Sequence, residues 1–477
     1  MKDWYKMGRS KSHFNISAQP KHTAVNPFTH VKTLDNGAQY TSQHCPRSNG
    51  MLRASVLIRG GSTYDPAGKA GIAHLLEHML ITDDDENELT LRGGKVGLAT
   101  SDEFIHIDIE IPNEGDNQEL FFEIVSKALR DDIHDQAALD SEKRRVSNEI
   151  GMYHDMPDEK KKTLWAQHQH TKSSISFGAL GSRETVNNLS LKELNTHKKN
   201  LFRGGNITAY FSTPSINALG KFRAETKKVL SENIKRGAVS PIKNTSNKKS
   251  FEIHETAQHL DQNYFDVFMT TKARTLKDKF TLELLSAYFD ERMITRMQQQ
   301  SPHLYETDSS LMLPRNPDYP DNNIGVFNLS GNVIPSDNAK ILPALADIIV
   351  EAATNPDEDA LYLAFNKVSK PFELQDEDYF YSSPPSDFAA DIAYTGQILK
   401  PHGIMKLLNN IEIDDLTNAM RGIIKDENIS LLTYGNNENF GTLSDLKAMI
   451  YDRLNGIKPP QPMVSFETQM RPKSMQP

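Results

Sequence analysis

The chain has 477 residues and a formal net charge of −9, with 37% hydrophobic and 25% charged residues. This composition is typical of a globular protein and excludes a disordered or fibrous one, and the length predicts roughly two to four domains. The negative charge gives no general reason to expect a nucleic-acid partner, and a single cysteine, Cys45, excludes an intrachain disulfide framework.

The elements of the first half are indicated by turn residues and by hydrophobic periodicity. "LDNG" at 34–37 lies between two alternating stretches and predicts a hairpin turn. A strand is predicted at 52–61, and the strict alternation of isoleucines in "FIHIDIEIP" predicts a half-buried strand at 104–112. Helical spacing follows at 117–133 and 136–156.

The acidic run "DDDENE" at 83–88 predicts a solvated loop, because charge runs are usually solvated. Acidic groups after a helix C-terminus are mildly unfavourable, so the run does not serve to cap the preceding helix. The alternative is an acidic rim that attracts basic peptides.

A weak internal repeat relates the two sides of a lysine-rich stretch. The segments that begin at Leu191 and Ile413 align without gaps at a fixed offset, and both predict a helix followed by a strand. The stretch 241–250 is predicted to be a linker. We therefore expect an α+β fold of two homologous domains, each a mostly antiparallel sheet with helices packed on it.

"HLLEH" at 74–78 places two histidines on one face of a helix, one turn apart. His74 and His78 can present imidazole nitrogens to one zinc ion, and Glu77 lies beside the same point. Taken alone, this spacing leaves a pair of ordinary helix-surface histidines about equally possible.

Two further glutamates lie seven residues apart in the next amphipathic helix. Glu142 and Glu149 share a helix face, since seven residues are nearly two turns. Glu149 could supply a third metal ligand and Glu142 a supporting carboxylate, although a solvated charged face is the more common fate of such residues.

Together these residues resemble the pitrilysin family of inverted zinc metallopeptidases, which includes insulin-degrading enzyme and the mitochondrial processing peptidase. His-x-x-Glu-His at 74–78 is the inverted zinc motif of that group. "GGSTYDPAGKAGIAHLLEHML" is similar to the family's lead into the zinc helix, and "LATSDEFIHIDIEIP" to its substrate-binding edge strand. "FGALGSRETVNNLSLKELNTHKKNLFRGGNITAYF" and "LLSAYFDERMITRMQQQSPHLYETDSS" resemble later parts of the family's two domains.

The resemblance implies a role for each residue. His74, His78 and Glu149 correspond to the ligands of one zinc ion per chain. The catalytic carboxylates are Glu77, the general base, and Glu142, which orients a histidine ligand. The implied domains are an N-terminal extension at 1–25, a catalytic domain at 26–240, the linker at 241–250 and a homologous non-catalytic domain at 251–477.

The resemblance also implies substrate contacts, and here the sequence departs from the family pattern. Peptide binding is expected along the edge strand at Ala99, Thr100 and Ser101, but glycine replaces the family's asparagine at Gly97. In the second half, Tyr305 is present, but Gln298 occupies the position of an arginine that normally accompanies it.

The family resemblance implies a dimer that encloses peptide substrates. The dimer is either a homodimer or a heterodimer with a related subunit that supplies the arginine. The expected activity is zinc-dependent endoproteolysis of peptides or unfolded segments. The alternatives are a non-catalytic scaffold subunit and a dedicated maturation protease for one partner peptide.

The N-terminus has no apolar central region, and no run approaches the length of a membrane span. Neither a secretory signal nor a transmembrane helix is therefore expected. These features predict a cytoplasmic location, with an organellar matrix as the alternative.

Overall fold

The computed structural model describes residues 28–130, 132–154, 156–169, 178–232, 234–238, 250–273, 275–301, 304, 306–312, 324–373 and 384–456. The predicted N-terminal extension, the linker apart from its last residue, and Tyr305 lie outside the described residues. None of the helices in the described part of the chain combines the length and the apolar character needed to cross a membrane.

The first half is built on a six-stranded sheet with the strand order β2-β3-β7-β4-β6-β5. Its strands, with one short strand before them, are β1 Phe28–Thr29, β2 Lys32–Thr33, β3 Gln39–His44, β4 Met51–Arg59, β5 Lys95–Thr100, β6 Phe104–Pro112 and β7 Ile207–Thr213. Its helices are α1 Ile72–His78, α2 Asp83–Leu91, α3 Asn117–Arg130, α4 Gln136–His154, α5 Pro157–Gln169, α6 Arg183–Asn187, α7 Leu191–Leu201 and α8 Leu219–Ser231.

The alternation in β6 explains how this sheet faces its core. Ile105, Ile107, Ile109 and Ile111 are fully buried in the core with residues of α1 and α3, while the residues between them, from His106 to Glu110, lie on the opposite face. The strand predicted at 104–112 is confirmed at both ends. Because β5 pairs only with β6, it leaves one edge of the sheet open among the described strands.

The second half is built on a five-stranded sheet with the order β10-β11-β9-β13-β8. The strands of this half are β8 Glu252–Thr256, β9 Asn263–Lys272, β10 Thr307–Met312, β11 Ile324–Val333, β12 Ile398–Leu399 and β13 Ile429–Gly435. Its helices are α9 Leu276–Arg292, α10 Gln298–Gln300, α11 Asn338–Thr354, α12 Glu358–Glu373, α13 Pro385–Thr395, α14 Pro401–Leu408, α15 Ile413–Ile423 and α16 Leu443–Leu454, with one π-helical turn, Met293–Met297, between α9 and α10.

The internal repeat corresponds to one structural unit in each half. Helix α7 is followed by a 3-10 turn and β7, and α15 is followed by a 3-10 turn and β13. Each of these strands pairs in parallel with one neighbour, β3 or β8, and antiparallel with the other, β4 or β9. The predicted fold of two related α+β halves with mostly antiparallel sheets is therefore confirmed.

Each half contains one helix that packs against the sheet of the other half. Helix α13 packs its Phe388 against Tyr210 of the first sheet, with ring centroids 4.7 Å apart, and β1 pairs with β12. Helix α5 packs Leu164 among apolar residues of the second sheet, and Lys161 forms an ion pair with Asp266 at 3.0 Å. We call α5 and α13 the exchanged helices.

The loop prediction for the acidic run at 83–88 is wrong, because these residues open α2. Thr82 caps the helix: its hydroxyl oxygen accepts a hydrogen bond from the backbone N–H of Asp85 at 3.2 Å. The acidic side chains therefore occupy the first turn, where the helix dipole favours negative charge. The run does not belong to the end of α1, and Thr82 is the signal that was missed.

Candidate metal centre

Two helices of the first half, α1 and α4, bring together the ionisable side chains singled out in the sequence. Helix α1 buries Ile72, Ala73, Leu75 and Leu76 in the core. Its opposite face carries His74, Glu77 and His78, whose ligand atoms all lie within 4.8 Å of one another. Helix α4 adds Glu142 and Glu149 from the other side.

Three donor atoms converge on one point. The Nε2 atoms of His74 and His78 are 3.3 Å apart, and Oε2 of Glu149 lies 3.6 Å from each of them. Glu77 Oε2 is 3.8 Å from His74 Nε2. Because Glu149 is close to both imidazoles, it is the better-placed third ligand, and Glu77 is left beside the cluster.

Glu142 supports this cluster from behind His78. Its Oε2 lies 2.9 Å from His78 Nδ1, and its Oε1 accepts a hydrogen bond from Arg145 at 3.0 Å. An ionised carboxylate only accepts hydrogen bonds, so a neutral His78 ring would carry its proton on Nδ1 and turn the lone pair of Nε2 toward His74 and Glu149.

Glu77 is held in the cavity wall by Thr100, which donates a hydrogen bond to Oε2 at 3.3 Å. Only 6% of its surface is exposed, and burial raises the pKa of Glu77 to about 7 against the effect of His78. A bound cation would lower that pKa again, so that Glu77 would be an ionised base at neutral pH.

In the absence of a metal ion, the pKa values of the two histidines shift in opposite directions. Burial, with the neighbouring His78, lowers the pKa of His74 to about 4 and keeps its ring neutral. Burial disfavours the charged form of His78 as well, but its contacts with Glu149, Glu77 and Glu142 outweigh that effect and raise its pKa. The hydrogen bond with His78 lowers the pKa of Glu149, which favours its carboxylate form.

The donor set fits a zinc ion. Two ligands bound at about 2.0–2.1 Å to one tetrahedral zinc lie roughly 3.3–3.4 Å apart, close to the 3.3 Å and 3.6 Å separations of these three atoms. When both imidazoles are neutral, their Nε2 lone pairs and the carboxylate oxygen of Glu149 face each other, an arrangement that suits a cation between them. Two histidines and one glutamate are a known zinc ligand set that leaves a fourth position open.

The cluster lies in a large cavity between the two halves, with a volume of about 1980 Å³. Leu98, Ala99, Thr100 and Ser101 line it along the open edge of β5. The opposite wall is formed by polar residues of the second sheet, among them Tyr264, Asp266, Asp308, Asn328 and Ser330. The sequence did not indicate this wall.

The position of Gly97 leaves room for the side chain that the family pattern carries there. A Cβ atom at Gly97 would lie 3.8 Å from the Cβ of Asp108, an ordinary van der Waals contact. Gly97 alternates with Thr100 along β5, so its side chain would lie on the face of the sheet away from Glu77.

Of the two predicted contact residues of the second half, only Gln298 lies in the described part of the chain, and it does not line the cavity there. Gln298 is exposed at the start of α10, and it is not among the residues that line the cavity in the described part of the structure. Arg292 and Arg296 are held by ion pairs with Glu351 at 2.7 Å and 2.6 Å. Tyr305 lies outside the described residues.

Sequence reasoning missed Asp65, which caps the histidine-bearing helix. Its buried carboxylate accepts hydrogen bonds from the backbone N–H groups of Gly71 and Ala73 at 2.6 Å and 3.2 Å. Burial raises the pKa of Asp65 to about 8, although these backbone donors oppose the shift. An aspartate six residues before Gly71, the N-cap of a short helix, was the available signal, but an ordinary N-cap side chain bonds to backbone N–H groups only two or three residues away.

Gly71 is the N-cap residue of α1, and we expect its replacement by alanine to destabilise the protein more than the same change at Gly68. Both glycines have left-handed backbone angles, with φ of 89° and 78°. A Cβ at Gly71 would lie 2.5 Å from the carbonyl oxygen of Leu180, whereas one at Gly68 would meet nothing within 4 Å. Both changes cost about 1–2 kcal/mol in backbone strain, and Gly71→Ala adds about 1–3 kcal/mol from overpacking.

Urea unfolding of the zinc-free protein measures both variants under the same conditions. Equal losses at the two glycines would contradict the close approach at Gly71.

Parts of the chain are similar in sequence to known proteins. Residues 47–175 match the family model described as Insulinase (Peptidase family M16). The uncharacterized zinc protease YmxG of Bacillus subtilis is 24% identical over 210 residues, which are 41% of this chain and 51% of that protein. The zinc protease PqqE of Helicobacter pylori is 40% identical over 60 residues, 13% of this chain and 12% of that protein. The chain thus matches about half the length of the first relative and much less of the second.

Solved structures share the fold at low sequence identity. The first half of the periplasmic protease PqqL from Escherichia coli superposes with a TM-score of 0.72 at 14% identity, over 93% of this chain and 100% of that chain. A protease from Helicobacter pylori gives 0.70 at 15% identity, over 86% and 99%. An inactive peptidase M16 domain from Pseudomonas fluorescens gives 0.70 at 12% identity, over 85% and 97%.

The fold is that of a two-part α+β protein, and the cluster on α1 and α4 is a candidate metal site in its first half. Within the first half, residues 47–175 match the insulinase family, peptidase family M16.

Proposed function

We propose that the chain is a zinc-dependent endopeptidase that cleaves peptides or unfolded segments. The observation that supports this proposal best is the convergence of His74, His78 and Glu149, at 3.3 Å and 3.6 Å, beside the buried carboxylate of Glu77. Burying unpaired polar groups costs stability. A scaffold protein therefore has no need of a buried glutamate such as Glu77 next to two imidazoles and a second carboxylate.

His74, His78 and Glu149 would hold the zinc ion. Bound zinc supplies Lewis acidity, which polarises a carbonyl group and makes a water molecule more acidic. Glu77 then accepts the proton of the attacking water and returns it to the leaving amine. Thr100 holds the Glu77 carboxylate in place, and Glu142 fixes the ring orientation of His78.

The open edge of β5 is the proposed peptide-binding strand. A peptide that adds there pairs its main chain with Ala99–Ser101, which gives affinity with little dependence on sequence. The same edge ends at Thr100, beside Glu77, so the bound main chain passes the catalytic carboxylate. The cavity exceeds the roughly 300–1,000 Å³ of small-molecule sites and suits an extended peptide.

We further propose that the chain works as a dimer. Gln298 is exposed and lies outside the cavity wall of its own chain, and a neutral amide is a weaker donor to a developing oxyanion than the arginine of the family pattern. Arg292 and Arg296 cannot replace that arginine without breaking their ion pairs with Glu351. A second copy would then contribute its own Gln298 as a neutral donor, whereas a related partner chain would supply the arginine.

The function is tested by loading the purified chain with zinc and incubating it with an unstructured peptide. We expect internal cleavage, identified by mass spectrometry of the products, and its loss when a chelator removes the metal. Native mass spectrometry of the same preparation counts chains and zinc ions, and we expect one zinc per chain.

Zinc-loaded protein that leaves every peptide intact, alone and as a dimer, would favour the scaffold role. Cleavage of folded proteins at the same rate as unstructured peptides would contradict strand addition inside the cavity.

A further inference from the structure

Residues 178–188, which include α6, contact both helices that carry the proposed metal ligands. We call this segment the bracket. It lies along the cavity wall, where Gly178–Glu184 are among the lining residues. No metal ligand is in the bracket, and the proposed mechanism assigns it no role.

On one side the bracket holds the start of α1. The hydroxyl group of Thr185 donates a hydrogen bond to the carbonyl oxygen of Ala70 at 2.7 Å. The two backbones meet without room for a side chain: a Cβ at Gly181 would lie 2.3 Å from the same oxygen. Val186 is fully buried in the core below α1. The bracket therefore fixes the position of the chain immediately before the histidine-bearing helix.

On the other side the bracket holds α4 around Glu149. Arg183 donates a hydrogen bond from Nε to the carbonyl oxygen of Ser147 at 3.0 Å. Its Nη2 lies so close to Gly151 that a Cβ there would be 2.2 Å away. Ser147 and Gly151 are the residues two before and two after Glu149. The guanidinium group therefore lies along the turn of α4 that presents the third ligand.

These contacts connect two elements that the metal centre must keep in register. Helix α1 has only seven residues, and a helix of that length depends on its surroundings for its position. Ligand geometry in metal sites is sensitive to groups outside the ligand set, and loss of such a group commonly weakens metal binding by about 10–100-fold.

We propose that Thr185 and Arg183 are positioning residues for the metal centre. They set the separation between the histidine pair on α1 and the carboxylate of Glu149 on α4. This proposal rests on the proposed function, because it assigns a role toward the zinc ion of that site.

The test measures zinc affinity of the full-length chain by competition with a chelator, together with urea unfolding of the zinc-free protein. Thr185→Val keeps the size of the side chain and removes the hydroxyl group, and Thr185→Ser restores the hydroxyl. Thr196→Val is the matched control, since the Thr196 hydroxyl donates to Lys192 within its own exposed helix turn at 2.6 Å. Arg183→Gln is a second, exposed variant that tests the α4 side if Thr185→Val does not fold.

We expect Thr185→Val and Arg183→Gln to bind zinc about 10–100-fold more weakly than the wild type. Thr185→Ser and Thr196→Val should bind zinc as the wild type does. A purely structural role would lower the unfolding midpoint of the zinc-free protein and leave zinc affinity of the folded protein unchanged.

Unchanged zinc affinity in both bracket variants overturns the proposal, as does a Thr185→Ser variant that is as weak as Thr185→Val. If the wild type binds zinc and cleaves peptide while the bracket variants bind zinc normally, Thr185 and Arg183 are not positioning residues, but the proposed function of the chain stands. A wild type that binds no zinc contradicts the proposed function as well.

Discussion

Glu77→Gln is expected to lower peptide cleavage by at least about 10²-fold while zinc stays bound, within the range that a general base contributes. Glutamine has the size and polarity of glutamate, but its amide cannot accept a proton from water. The buried position beside His74 and the hydrogen bond from Thr100 are kept by the amide oxygen. The measurement is kcat for an unstructured peptide, with zinc quantified in the same samples.

The matched control is Glu159→Gln, since Glu159 also lines the cavity but pairs with Lys162 on its own helix at 2.6 Å. We expect its cleavage rate to stay near that of the wild type. If Glu77→Gln cleaves as fast as the wild type in a preparation free of other proteases, Glu77 is not the base, and the scaffold role regains support.

His78→Ala is expected to abolish zinc binding at the stoichiometric level and with it peptide cleavage. The change removes one of three ligands and also releases Glu142, which holds His78 Nδ1 at 2.9 Å. We expect the affinity to fall by more than the roughly 10–100-fold typical of a residue outside the ligand set. Zinc content after dialysis against a weak chelator measures the effect.

The fold of His78→Ala should survive, because Leu75 and Leu76 supply the core packing of α1. His168→Ala serves as the control. His168 is also a helical histidine, and its Nδ1 contacts the carbonyl oxygen of Leu164 in the same helix at 2.9 Å. Full zinc occupancy in His78→Ala would show that the ligand set is wrong.

Local patterns in the sequence were sufficient to predict one strand of the first sheet and the two helices that carry the candidate metal ligands. The alternation in "FIHIDIEIP" gave β6 with its ends, because a strand between a core and a solvated face must alternate. The spacing of His74 and His78 placed both rings on one face of α1, and the seven-residue interval placed Glu142 and Glu149 on one face of α4.

Contacts between distant parts of the chain could not be predicted in this way. Thr185 and Ala70 are 115 residues apart, and nothing in the local sequence of either indicates the other. The polar cavity wall of the second sheet depends on how the two halves pack. The acidic run at 83–88 was misinterpreted for a different reason: Thr82 starts a second helix directly after the first.

The exchanged helices make the two halves depend on each other for folding. Without α13, the apolar side chains of Leu57 and Tyr210 on the first sheet would face water, and without α5 those of Phe251 and Phe268 on the second sheet would do so. Exposed apolar surface of this kind promotes aggregation. Local unfolding of one half therefore removes the cover of the other, and we expect the chain to unfold as a single cooperative unit although its sequence repeats.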